Sequence, residues 1–258
     1  MEEFWFEVLI CFLAGAGAGL GTGFAGLSAA TVISPMLLTF LGLPAYDAIG
    51  IALASDVLAS AASARTYAKN GSIDIRNGIF MMAGVLSMTV VGSWMSSFVK
   101  SDTLGGFSVV MTLVLGIRFL VFPVMSSRKT VAGERRWIRI AKSLGCGMVI
   151  GLICGFFGAG GGMMMLMILT MVLGYELKTA VGTSVFIMTF SALTGAVSHF
   201  VISPPKRLDL LALCVAFMLI WAQIAAKIAT KADTLTLNRI TGGILAAVGV
   251  ALLAVTYV

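Results

Sequence analysis

The sequence predicts an all-α polytopic membrane protein made of two inverted repeats of about five hydrophobic segments each, with broken or re-entrant Gly-rich helices. Composition, the length of the apolar runs and a long internal repeat carry this expectation. Of 258 residues, 59% are hydrophobic and 11% charged, and the mean hydropathy is +1.06. A soluble domain has about a quarter of its residues charged. The formal charge of +6 could suggest nucleic acid, but most of the excess lies in one loop between apolar runs. Membrane topology explains it, and no nucleic-acid partner is expected.

Runs of about 17–25 apolar residues are long enough to cross the hydrocarbon core. Such runs fall near 4–22, 24–42, 46–68, 75–98 and 103–125, and then near 140–158, 162–174, 179–202, 208–230 and 236–257. The seventh is too short to span comfortably and could pair with the sixth as a re-entrant hairpin. Residues 1–125 form the first membrane repeat, 126–139 a basic cytoplasmic linker and 140–258 the second repeat. The first thirty residues carry Glu2, Glu3 and Glu7 and no Lys or Arg. They lack the basic start of a cleavable signal peptide, so the first apolar run is expected to be retained.

The stretch 126–142 holds Arg128, Lys129, Arg135, Arg136, Arg139 and Lys142 against Glu134 alone, which places it in the cytoplasm. Counting outward, the same face collects Arg65, Lys69, Arg76, Arg118, Lys178, Lys227, Lys231 and Arg239, and the other face only Lys100, Lys206 and Arg207. Both termini are thereby expected on the non-cytoplasmic side of a cell (inner) membrane.

At an offset of 132 residues the halves align without gaps across their first two segments. Gly15, Gly19, Gly23, Phe24, Gly26, Leu37, Leu41, Gly42 and Gly50 match Gly147, Gly151, Gly155, Phe156, Gly158, Leu169, Leu173, Gly174 and Gly182. An odd number of crossings per copy inverts the second copy. Inverted repeats with interrupted helices in corresponding positions are a transporter signature.

The interruption is legible at Gly155-Phe156-Phe157-Gly158-Ala159-Gly160-Gly161-Gly162, inside an apolar run. Each glycine weakens a helix by roughly 1 kcal/mol relative to alanine. A break within hydrocarbon must find polar partners in protein or a watered cavity. Gly160, Gly161 and Gly162 precede a short apolar segment, where bare amides at a helix start suit an anion. Close helix packing through small residues is the competing account. The matching first-half stretch Ser28, Ala29, Ala30 and Thr31 adds hydroxyl donors.

Thr183 and Ser184 follow one short segment later, and their hydroxyls could serve an anion or the carbonyl four residues back. Asp56, near the centre of the third segment, is expensive at that depth and is the candidate for proton or cation coupling. Arg65 and Lys69 could attract anions at the cytoplasmic mouth or snorkel to the interface. Gln223 and Lys227 could share one face near the same end. His199, the only histidine, closes the eighth segment and is a candidate gating or relay group, or a polar end residue. Cys11, Cys146, Cys154 and Cys214 lack the spacing of a metal or disulfide framework and read as packing residues. The methionines beside the glycines suggest a pliable lining, and no metal site or cofactor is expected.

At Gly158-Ala159-Gly160-Gly161-Gly162, Leu173-Gly174 and Ala180-Val181-Gly182-Thr183-Ser184, the sequence resembles the sulfite exporter TauE/SafE family of membrane proteins. The first-half copy departs from the pattern: Gly26-Leu27-Ser28-Ala29-Ala30 carries less glycine, and Ile51-Ala52 stands where the second half has Thr183-Ser184. The resemblance implies a secondary transporter, with export the expected direction, of small sulfur-containing anions such as sulfite, thiosulfate or organosulfonates. Its partners would be that anion and the lipid bilayer. A homodimer is an open arrangement, since the sequence does not fix the oligomeric state. Two other readings stand beside it, an intramembrane enzyme, which needs paired catalytic groups, and a non-transporting scaffold, which needs no cavity.

Overall fold

The computed structural model describes residues 2–100, 136–157 and 161–233, together with isolated helical positions between 110 and 121 and between 235 and 250. The expected fifth and tenth segments therefore lie largely outside the described residues. So do Gly160 and linker residues 126–135.

Every regular element among the described residues is helical. In the first half these are α1 (Glu2–Ala25), a 3-10 turn (Ala29–Thr31), α2 (Ile33–Leu41), α3 (Ala45–Lys69) and α4 (Ile75–Ser96). The second half repeats the pattern with α5 (Arg136–Phe157), α6 (Gly161–Met167) running into a π turn (Ile168–Val172), α7 (Leu177–Ile202) and α8 (Leu208–Ala229). Among these, α1, α3, α4, α5, α7 and α8 are the 6 helices long and apolar enough to cross a membrane.

The expected span over 24–42 is corrected. The chain leaves the helix at Gly26, whose φ of +63° is open to glycine at little cost, and α2 has only 9 residues. At 1.5 Å per residue, α2 covers about 14 Å, less than half of the hydrocarbon core. The first half thus has a broken short element where the second half has α6, although the first-half sequence is poorer in glycine. In the second half Gly161 lies against Cys154, seven residues earlier and about 10 Å away in a continuous helix, so the helix is interrupted between α5 and α6.

Both short elements end in the same way. Gly42 and Gly174 adopt φ of +64° and +69°. Beyond them Leu43 N donates to Leu37 O (3.3 Å) and Tyr175 N to Leu169 O (2.8 Å), the long-range bond of a Schellman cap. Both pairs are separated by the repeat offset of 132.

The halves interlock. α1 packs on α8, α5 packs on α4, and α3 lies against α7. The glycines of the repeat make the outer seams close. A Cβ on Gly19 would stand 2.8 Å from Ala222 N, and one on Gly155 would stand 2.9 Å from Ser93 N. Small residues let backbones approach in this way, which is how helices associate in lipid without a hydrophobic driving force. Cys11 of α1 and Cys214 of α8 are buried free thiols on the same seam.

At the centre α3 and α7 run antiparallel. Gly182, near the start of α7, abuts Tyr67 near the end of α3, and Gly50, near the start of α3, abuts His199 and Phe200 near the end of α7. Two polar ties at the repeat offset reinforce this core. Tyr67 Oη donates to Gly23 O (2.9 Å), and His199 Nε2 lies 3.4 Å from Gly155 O. Each carries a buried ring on a central helix to the last turn of an outer helix, just before a break. Tyr67→Phe should lower stability by about 1–2 kcal/mol, because the Gly23 carbonyl loses its buried donor. A thermal-shift comparison in detergent checks this.

Candidate functional site

The break after α1 is held by the carboxylate of Asp56. Asp56 sits midway along α3 and is buried. Its Oδ2 accepts from Ala29 N (3.0 Å), its Oδ1 accepts from Ser60 Oγ (2.6 Å), and the Ser28 side chain is a further partner. A carboxylate at the first amide of the 3-10 turn satisfies a donor that the break exposes and places negative charge at the start of that turn. Thr22 Oγ1, donating to Leu27 O at 2.7 Å, ties the other side of the break.

The two breaks meet. A Cβ on Gly162 would stand 2.8 Å from Ser28 N and 2.9 Å from Met188 Sδ. Ser184 Oγ donates to Gly26 O (3.3 Å) and lies 3.7 Å from Met188 Sδ. Met188 occupies the position 132 residues after Asp56. Where the first half has an anion the second half therefore has a thioether. Gly161 fits against Cys154, with its missing Cβ 2.9 Å from that residue's Cβ.

Of the residues singled out in the sequence, Ser28, Ala29, Asp56, Gly162 and Ser184 come together here. Ala30 and Thr31 are buried in the same 3-10 turn. Thr183 turns elsewhere: its Oγ1 accepts from Asp74 N (3.0 Å), in a cluster where the Asp74 carboxylate also accepts from Asn77 N and Tyr175 Oη. His199 is buried in the last turn of α7, with its ring 4.2 Å from that of Tyr46. Arg65 is exposed, nine residues beyond Asp56 and about 13 Å further along the helix.

The sequence reading missed the central roles of Ser60, Tyr67 and Met188. The offset of 132, which pairs Tyr67 with His199 and Met188 with Asp56, was a usable signal for two of them. Gly162→Val should separate the two breaks, because neither Ser28 N nor Gly26 O is a movable side chain. Folded protein should persist, with transport lowered at least tenfold, as about 1.4 kcal/mol of misfit would suffice. Flux normalised to folded protein checks it.

Two cavities open at opposite ends of α3. At its N-terminal end one of about 190 Å³ is lined by Tyr46, Asp47, His199, Ser203, Lys206 and Arg207, among others. Ser203 Oγ donates to Asp47 there (3.1 Å), and Arg207 Nη2 donates to Glu7 Oε1 (2.7 Å) and Asp209 Oδ2 (2.6 Å). Those two carboxylates raise the guanidinium pKa above its ordinary value. At the C-terminal end a cavity of about 310 Å³ is lined by Ala62, Arg65, Thr66, Lys69, Gln223 and Lys227. The packed breaks and Asp56 occupy the level of α3 between them.

Comparison with known proteins agrees with this architecture. Residues 11–252 match the family described as sulfite exporter TauE/SafE. Two Bacillus subtilis (strain 168) proteins are similar. "Probable membrane transporter protein YunE" is 27% identical over 206 residues, covering 75% of this chain and 76% of the relative. "Probable membrane transporter protein YdhB" is 21% identical over 192 residues, covering 74% and 77%. No solved structure matches the chain. A multi-pass helical protein whose family match covers nearly the whole sequence, and whose relatives are named as membrane transporters, is itself a membrane transporter, and the chain belongs to the sulfite exporter TauE/SafE family.

Proposed function

We propose that the protein is a secondary transporter of small sulfur-containing anions, such as sulfite, thiosulfate or organosulfonates, exporting them by alternating access between two inverted repeats. The observation that carries this reading is the pair of short broken elements packed on each other at the centre, with separate cavities toward either end of α3. The antiparallel α3 and α7, the reciprocal seams α1–α8 and α5–α4, and the matched caps at Gly42 and Gly174 support the inversion. Such symmetry lets each half adopt the other's conformation and pass the closed level from one side to the other.

The anion contacts we propose are Ser28, Ala29, Ala30, Thr31, Gly161, Gly162 and Ser184. The first break is already neutralised by Asp56, and the second faces Met188 instead. That asymmetry favours the second break for an incoming anion. The C-terminal ends of α3 and α8 carry Arg65, Lys69, Lys227 and Lys231, and the positive-inside rule puts them in the cytoplasm. The sequence shows no nucleotide-binding motif, so the driving force is an ion gradient or the anion's own gradient.

The test is flux of radiolabelled sulfite and of a small organosulfonate into proteoliposomes. A transporter of this class accumulates label in the lumen unaltered. An intramembrane enzyme converts it, and a scaffold leaves the lumen empty.

A further inference from the structure

We propose that Arg65, Lys69, Gln223 and Lys227 form an oxyanion-capture site at the cytoplasmic mouth, which loads the transporter from that side. The inference rests on the transport reading above and adds a location and a direction to it. Arg65 and Lys69 lie on one face of α3, with Ala62 and Thr66 at helical spacing between and before them, and Gln223 and Lys227 lie one turn apart on α8. All six line a single cavity of about 310 Å³. Three cations and an amide thus converge from two helices, and no carboxylate is among the lining residues. Among the described residues, none of the three cations has an acidic partner. A guanidinium fork, two ammonium groups and an amide NH₂ are the donors that an anion with several equivalent oxygens accepts from.

The opposite mouth differs in kind. Its cation Arg207 is tied to Glu7 and Asp209, and Asp47 lines the same cavity as Lys206. Nor does the duplicated face of α7 reproduce the cluster. The positions 132 residues after Ala62, Arg65, Thr66 and Lys69 are Thr194, Val197, Ser198 and Val201, all uncharged. Topology alone places cations near helix ends. It does not gather them from α3 and α8 around one concave space with an amide among them. The shared ligand chemistry is a small oxyanion group, and the source we assign is the dissolved anion rather than a lipid headgroup.

The experiment uses radiolabelled sulfite and the full chain in phosphatidylcholine liposomes, with insertion direction scored by trypsin cleavage at Arg128 and Lys129. R65Q/K227Q should raise half-saturation from the cytoplasmic face about tenfold, roughly threefold for each exposed charge removed. From the other face the rise should stay below twofold. R65K/K227R, which keeps both charges, should remain within threefold of the parent on both faces. No rise in R65Q/K227Q, or an equal rise on both faces, overturns the capture site.

If the parent protein carries no sulfite, the transport reading fails for that anion, and capture is read from equilibrium sulfite binding to the detergent-solubilised protein. Binding that R65Q/K227Q weakens tenfold upholds the site, and binding that is absent or unchanged overturns it. Phosphatidylglycerol added to the liposomes distinguishes the two sources. Competition with cytoplasmic-face sulfite in the parent but not in R65Q/K227Q would make the cavity a headgroup site and overturn the assignment.

Discussion

Gly151→Leu is expected to lower the melting temperature by about 10 °C and to reduce the yield of monodisperse protein, while Gly145→Leu on the same helix leaves both intact. Both residues belong to α5, and the side chain added is the same, so helix propensity and hydrophobicity gained are equal. What differs is the neighbour. A Cβ on Gly151 would stand 2.8 Å from Val85 Cα and 2.9 Å from Val85 C, both backbone atoms of α4, whereas among the described residues nothing lies within 4 Å of one on Gly145. Rotamer changes cannot relieve a clash between Cβ and backbone, so α4 and α5 must part along the seam. Overpacking a core costs about 1–3 kcal/mol when side chains can adjust, and more when they cannot. About 3 kcal/mol lowers the melting temperature of a protein this size by about 10 °C. The measurement is a thermal-shift and size-exclusion comparison of the two variants, and equal behaviour would remove close backbone approach as the basis of the α4–α5 seam.

The seams explain why much of the fold was legible. In lipid the chain has little choice beyond helices, so apolar run length located the six long helices, and glycine at four-residue spacing marked the faces that touch. The duplicated Gly15, Gly19, Gly23 and Gly147, Gly151, Gly155 sit on those faces. Less legible was the first break, because an apolar run over 24–42 reads as a span until the chain is seen to leave the helix at Gly26. Its four glycine-poor residues Leu27, Ser28, Ala29 and Ala30 carry no strong breaker, and the break is stabilised from a distance by Asp56. Periodicity cannot report such a tertiary partner. Thr183 shows the reverse difficulty. Its place next to Ser184 in a motif suggested a shared role, but consecutive helical residues point about 100° apart, and the structure gives one to the Asp74 cluster and the other to the central contact. Gln223 and Lys227 were visible as a pair on one helix face, and Arg65 and Lys69 as another. Only the packing of α3 on α8 puts both around one cavity.

Asp56 gives the second large expected effect, with two substitutions that separate its roles. Asp56→Ala leaves Ala29 N and the hydroxyls of Ser28 and Ser60 facing a buried site with no acceptor, and each buried donor so stranded costs about 1–3 kcal/mol. We expect a loss of about 3 kcal/mol and of flux together, because the 3-10 turn and α2 lose their anchor to α3. Asp56→Asn keeps one oxygen for Ala29 N, and the Ser60 hydroxyl can turn to accept from the amide. Its fall in melting temperature should be less than half that of Asp56→Ala. The two variants therefore part on stability, and transport in the folded Asn variant then isolates the proton-bearing function. If the carboxylate couples transport to protons, Asp56→Asn retains sulfite binding but loses uptake driven by a pH gradient. If flux in Asp56→Asn keeps the pH dependence of the parent, coupling lies elsewhere and Asp56 serves as the internal anion that closes the first break. The geometry gives that second role a physical basis in either case. A carboxylate engaged by Ala29 N and Ser60 Oγ accepts at the first break as a bound oxyanion would, and its second-half counterpart, Met188, leaves the corresponding place uncharged.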